Sequence, residues 1–179
     1  MFKFAGTIGG VGRKLQLVKL GNSQTFNVGE VVETYTTGVA NLADAALPLL
    51  GVIASFADSK GNALPAPNLA AGTASGNDVR QVTTGAANAE GYYAFVDAGL
   101  DTVFSAEVSG TLGTTVSSTL RGARLDVNSA GNAEGQLLET TATRTIGTPA
   151  NFYSLGLDPN DSTRLLVKIS MSEMYGVQE

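Results

Sequence analysis

The 179-residue chain contains no cysteine, no histidine and no tryptophan. Without cysteine there is no disulfide staple and no thiolate chemistry. Without histidine the commonest general base and the commonest metal ligand are missing, and a Ser-His-Asp triad is excluded. With no Trp and only five Tyr, a sugar-stacking platform has little to draw on. Charge is scarce as well: 15% of residues are charged, below the usual quarter, so Ser, Thr, Asn, Ala and Gly must cover much of the surface. The balance is acidic, with a net charge of −5 and a pI near 4.7, which argues against a nucleic-acid groove. Long apolar runs are also absent. The most apolar stretch, Ala45 to Ala57, is interrupted by Pro48, and a membrane helix needs about 20 apolar residues. The start, MFKFAGTIGGVGRKLQL, lacks the apolar run of a signal peptide. The expectation is a soluble chain made in a cytoplasm, with no membrane and no nucleic-acid partner.

What is present is two-residue periodicity. With 43% apolar residues the chain can build a core. The stretch from Phe152 to Met171, FYSLGLDPNDSTRLLVKISM, reads as two strands around a turn. Tyr153, Leu155 and Leu157 share one face of the first arm. Leu165, Val167, Ile169 and Met171 share one face of the second, with Arg164, Lys168 and Ser170 opposite. Asp158-Pro159-Asn160-Asp161 is the turn, because Pro presets φ and Asp and Asn hydrogen-bond their own backbone. Leu155, Leu157, Leu165, Val167 and Ile169 are the expected core of this hairpin. A lone hairpin is marginal in water, so the rest of the chain must supply a sheet.

Along the chain, strands are expected at Leu15 to Leu20, at Thr25 to Tyr35 as a strand pair or one bent strand with a bulge suggested by Gly29, and from Gly38. Further strands are expected at Leu49 to Phe56, Val79 to Thr84, Tyr92 to Ala98, Thr102 to Ser109, Leu112 to Val116, Leu120 to Val127 and Gln136 to Thr143. Asn41 to Ala46 reads as a loop or a helical turn. A helix from Asp44 to Phe56 competes with the strand at 49–56, since Pro48 would sit in its first turns. Residues 59–78, rich in Gly, Pro, Ala, Ser and Asn, read as a long surface loop. About ten short strands at roughly 10–15-residue spacing indicate an all-β, single-domain sandwich or barrel of antiparallel strands over residues 15–179. Residues 1–14, with Gly6, Gly9, Gly10 and Gly12, read as a flexible N-terminal arm.

Several motifs carry a chemical reading beside a plainer one. Gly6 to Lys14 is glycine-rich, but no Gly-Lys-Ser/Thr enters a helix after a strand, so a phosphate loop is disfavoured. Asp158, Asn160 and Asp161 offer oxygen ligands for Ca²⁺ but lack the spacing around a Gly that a high-affinity loop requires, which favours a turn. Glu30, Glu33, Asp97, Asp101 and Glu107 are candidate carboxylate pairs for a glycosidase, with solvated acids as the plainer reading. Asn160-Asp161-Ser162 is a formal glycosylation sequon that reads as accidental without a secretion signal. No catalytic, cofactor or metal residue is assigned.

Gly29-Glu30-Val31-Val32, Gly38-Val39-Ala40 and Leu47-Pro48-Leu49-Leu50-Gly51-Val52-Ile53 resemble the front half of tailed-bacteriophage capsid decoration (cement) proteins. Leu120-Arg121-Gly122, Leu137 to Thr140, Leu155 to Pro159 and Leu166 to Ile169 resemble the same class of virion structural protein. The resemblance spans about three-quarters of the chain and rests on strand-and-turn patterns. It implies a β-rich, non-enzymatic module on the outer surface of an icosahedral head. Its partner would be the major capsid protein, and it would often be a homotrimer. The expected connector is the N-terminal arm. Phe2, Phe4, Ile8 and Val11 would bury against a partner, and Arg13 and Lys14 would face acidic groups; the plainer reading is a frayed terminus. A second functional reading is a carbohydrate-binding or adhesive β-module using Tyr92, Tyr93 and Phe95.

Overall fold

The computed structural model describes residues 2–10, 12–34, 40–43, 49–64, 81–88, 91–109, 121–122, 124–125, 127–128, 137–139 and 152–170. The expected strand at Leu112 to Val116, most of the loop at 59–78, and Val11 lie outside them. The described residues form fourteen strands and a single 3-10 turn at Ile8–Gly10. The strands are β1 (Phe2–Thr7), β2 (Leu15–Lys19), β3 (Thr25–Asn27), β4 (Val31–Thr34), β5 (Ala40–Leu42), β6 (Leu49–Ala57) and β7 (Gln81–Thr83), followed by β8 (Tyr93–Asp97), β9 (Thr102–Ser109), β10 (Arg124–Leu125), β11 (Val127–Asn128), β12 (Leu137–Glu139), β13 (Phe152–Asp158) and β14 (Asp161–Ile169). The fold is all-β, and residues 49–57 are strand rather than helix.

One sheet runs β10-β13-β14-β9-β12-β11, with β1 also paired to β9. A second runs β2-β8-β6-β4-β5, and β3 pairs with β7 as a small third. Pairing is antiparallel except for β12 on β9 and one parallel bridge between Leu20 and Ala40. That bridge lets the two ends of the five-stranded sheet touch without a ladder, so the sheet curls but does not close.

Two cores result. The first lies between the sheets and holds Phe2, Phe104, Leu125, Phe152, Leu165, Val167 and Ile169 against Val31, Leu49 and Val52. The second fills the curl with Leu20, Phe26, Val32, Ile53, Phe56, Val82, Ala94 and Val96. Val31 and Val32 face different cores, as do Val52 and Ile53, so β4 and β6 are buried on both faces. That is why the apolar residues of β6 run on rather than alternate. Gly29, where a bulge is expected, falls between β3 and β4 with φ 89°, and the two halves go into different sheets. Asn41 to Ala46, expected as loop or helical turn, begins instead within β5, which pairs with β4.

Three expectations need correction. Residues 2–7 of the expected arm are not free. Phe2–Thr7 is strand β1, paired antiparallel along β9 from Phe2↔Ala106 to Thr7↔Thr102. Phe2 is 2% exposed and stacks on Phe152 with ring centroids 4.8 Å apart. Its apolar ring finds its partner inside the protein, so it leaves the set of partner-binding candidates.

The first arm of the final hairpin also turns differently. Phe152, Ser154, Gly156 and Asp158 are buried, while Leu155 and Leu157 are half-buried. The register shifts between Ser154 and Gly156, and Gly156 takes φ 123°. Leu155 is the extra residue of this bulge, so Gly156 and Leu157 pair with β14 one residue out of step with Ser154. Before the bulge Phe152 faces Ile169; after it Leu157 faces Leu165 and packs on the core. Leu165, Val167 and Ile169 are buried as expected.

Arg164, expected on the wet face, is buried. Its Nε donates to Ser105 Oγ at 2.9 Å, its Nη2 to the Ser105 carbonyl at 2.7 Å and its Nη1 to Glu107 Oε1 at 2.6 Å. The guanidinium thereby clamps β14 to β9, and its charge is satisfied where it lies.

Candidate partner-binding face

The ladder between β2 and β8 sets which way β2 presents its side chains. Leu15, Leu17 and Lys19 lie opposite Asp97, Phe95 and Tyr93; Gln16 and Val18 lie opposite Val96 and Ala94. Residues directly opposite share a face. Val96 and Ala94 belong to the core of the curl, so the odd-numbered residues of β2 point outward. Over β6 and β4 that outer face is covered by the first sheet, as Val52 and Val31 show. Over β8 and β2 the covering stops. Leu15 is 47% and Leu17 39% exposed. Leu17 keeps a neighbour on this outer face, since a methyl at Gly61 would lie 3.5 Å from Leu17 and 3.9 Å from Phe95.

The N-terminal segment meets this face through Arg13. Its Nε donates to Asp97 Oδ2 at 2.7 Å, and its guanidinium lies 4.5 Å from the centroid of the Phe4 ring. The Asp97 carboxylate is fully buried and also accepts from Thr102 Oγ1 at 2.9 Å and Gly99 N at 3.2 Å. Arg13 therefore ties the residues leading into β2 to the β8–β9 turn, with Phe4 beneath it. Phe4 and Ile8 are each 46% exposed. Of the five large apolar side chains exposed among the described residues, four are Phe4, Ile8, Leu15 and Leu17.

Charge is also segregated. The first 29 residues carry four of the eleven cations, Lys3, Arg13, Lys14 and Lys19, and none of the sixteen acids. Arg13 is paired, whereas Lys14 and Lys19 are exposed. An acidic protein thus has a basic, apolar N-terminal segment.

Of the six residues expected to bind a partner, Phe4, Ile8, Arg13 and Lys14 are exposed, Phe2 is core, and Val11 lies outside the described residues. Leu15 and Leu17 were missed as surface residues, because alternation alone does not say which face of an edge strand is covered. For the carbohydrate reading, Tyr93 and Phe95 share the outer face of β8 and are half-buried. Tyr92 packs against the core of the curl, so the three do not form one platform.

The candidate acids are held in separate settings. Glu30 Oε2 accepts from the Asn27 backbone N–H at 2.7 Å and Oε1 from Asn27 Nδ2 at 2.8 Å. Burial pushes its carboxyl above the ordinary value, against the pull of those Asn27 bonds. Burial also works to raise Glu107, but positive charges including Arg164 outweigh it and leave the carboxyl lowered. Glu33 is buried and Asp101 exposed. Asp158 Oδ1 accepts from Asn160 N at 2.9 Å, and Asp161 Oδ1 from Thr163 N at 3.0 Å; both close the hairpin turn. No group of three or more acidic side chains is arranged to hold a metal among the described residues, and no described helix is long and apolar enough to cross a membrane.

The chain matches no protein-family model, no curated protein and no solved structure.

Proposed function

We propose that this chain is a non-catalytic virion structural protein that binds the outer surface of an icosahedral phage head and stabilises it. The observation that carries this reading is the concentration of exposed apolar and basic side chains, Phe4, Ile8, Lys14, Leu15, Leu17 and Lys19, within residues 4–19 of an otherwise acidic all-β module. Exposed apolar residues gathered on one face signal a protein contact. Cations around them suit an acidic surface such as a head subunit would present. The sequence resemblance to decoration proteins supports the same reading and adds the expectation of a trimer.

The test is co-sedimentation with empty heads of a tailed phage whose genome encodes the chain, beside binding to a glycan array. Saturable binding to heads and none to glycans is expected. Tyr93 and Phe95, sharing the outer face of β8, favour the second reading of a carbohydrate-binding or adhesive module. Glycan binding without head binding would establish that reading instead.

A further inference from the structure

Among the described residues, one side of the β2 backbone carries no paired strand. Leu20 N donates to the Tyr92 carbonyl and Ala98 N to the Lys14 carbonyl. In an antiparallel ladder such bonds join alternate residue pairs, so Lys14, Gln16, Val18 and Leu20 spend their backbone groups on β8. Leu15, Leu17 and Lys19 then direct their N–H and C=O groups away from β8. No described strand pairs with Leu15 or Leu17 on that side; the end of β5 reaches the strand only at its close, where the parallel Leu20–Ala40 bridge takes up the backbone from the Lys19 carbonyl to Gly21 N. Natural edge strands are usually shortened, bulged or charged against pairing. This one is a regular five-residue strand with two exposed leucines beside its free backbone groups.

We infer that the open edge of β2 accepts an extended, acidic segment of a partner protein, which joins the five-stranded sheet as an added strand. The inference rests on the head-binding reading and names the kind of segment that would be bound. Backbone bonds to Leu15, Leu17 and Lys19 provide the grip. Apolar residues of the incoming segment cover Leu15 and Leu17. An acid on the face opposite the leucines meets Lys14; Lys19, on the leucine face, adds to the local positive charge, and neither lysine has an ion-pair partner among the described residues. A second copy of the same edge fits less well. Antiparallel pairing centred on Leu17 would set Lys19 opposite Leu15 and Lys14 opposite Leu20 of the other copy, so neither cation would gain an acid.

The experiment uses the full chain and two labelled nine-residue peptides, one alternating valine with glutamate and one alternating valine with lysine. Binding is read by fluorescence anisotropy, and amide exchange at Leu15, Leu17 and Lys19 by NMR. The acidic peptide is expected to bind, to weaken as salt rises, and to slow exchange at those three amides. Leu17→Pro removes a free-edge donor, a position where proline is tolerated, and should weaken binding at least tenfold. Leu17→Ala keeps the donor and should cost less. Should Leu17→Pro fail to fold, the exposed-site variant Lys14→Glu/Lys19→Glu remains, and it should reverse the preference between the two peptides. Equal binding of the two peptides, unchanged exchange at the three amides, or an unreversed preference in the charge variant would overturn the inference. So would a dimer through this edge that the acidic peptide does not dissociate. Heads that bind folded Leu17→Pro as well as the native chain would remove the edge and leave the head-binding reading standing. Peptide docking at the edge without head binding would do the reverse.

Discussion

Glu30 is a carboxylate placed under cover at the turn where β3 hands the chain to β4. Asn27 supplies both of its donors, and Gln81 Nε2 in turn donates to Asn27 Oδ1 at 3.0 Å. Burial raises its pKa above 4.5. A raised acid contributes stability that is fully present below the unfolded value and is lost as pH rises through the folded value. Glu30→Gln retains one acceptor and removes the charge. Its stability relative to the native chain should therefore improve between about pH 4 and about pH 7, read from urea unfolding at both. An unchanged difference, or one moving the other way, would contradict the burial argument. Phe2 gives a second prediction at this scale. Phe2→Ala deletes a ring stacked on Phe152 and should cost about 3–5 kcal/mol, where loss of a surface side chain would cost little.

Among the elements, β6 depends on Gly51. A methyl there would fall against the Asp97 carbonyl and Val96, at φ 155°. Gly51→Ala should destabilise by about 3 kcal/mol through overpacking and backbone strain, seen as a lower urea midpoint. A variant as stable as the native chain would mean that β8 does not approach β6 so closely. How legible an element is in the sequence follows from how local its causes are. β9 was readable from Thr102 to Ser109 because the Asp97–Asp101 turn directly precedes it. β14 showed its inward face because Leu165, Val167 and Ile169 alternate within it. β13 did not, because the bulge at Leu155 shifts its pairing midway and a simple period cannot register an inserted residue. β1 was hidden for a different reason. Its six residues are followed by glycines, and its partner β9 lies about a hundred residues away, so nothing nearby announces the pairing. The candidate face was half legible. The apolar and basic residues near the N-terminus stood out, but that Phe2 turns inward and Leu15 and Leu17 outward depends on where the first sheet stops covering the second.

At the level of the molecule, β4 and β6 of the five-stranded sheet are the layer between two cores, and the outer surface of β8 and β2 is left over. That leftover surface coincides with the basic end of an acidic chain. The account's central claim is that this face meets a phage head, and hydrogen exchange mapped on the free chain and on the head-bound chain tests it most directly. The predicted result is slowed exchange over residues 3–19 and β8, with β13 and β14 unchanged. Failure to bind heads, or protection centred on the β13–β14 hairpin while residues 3–19 exchange as before, would contradict it.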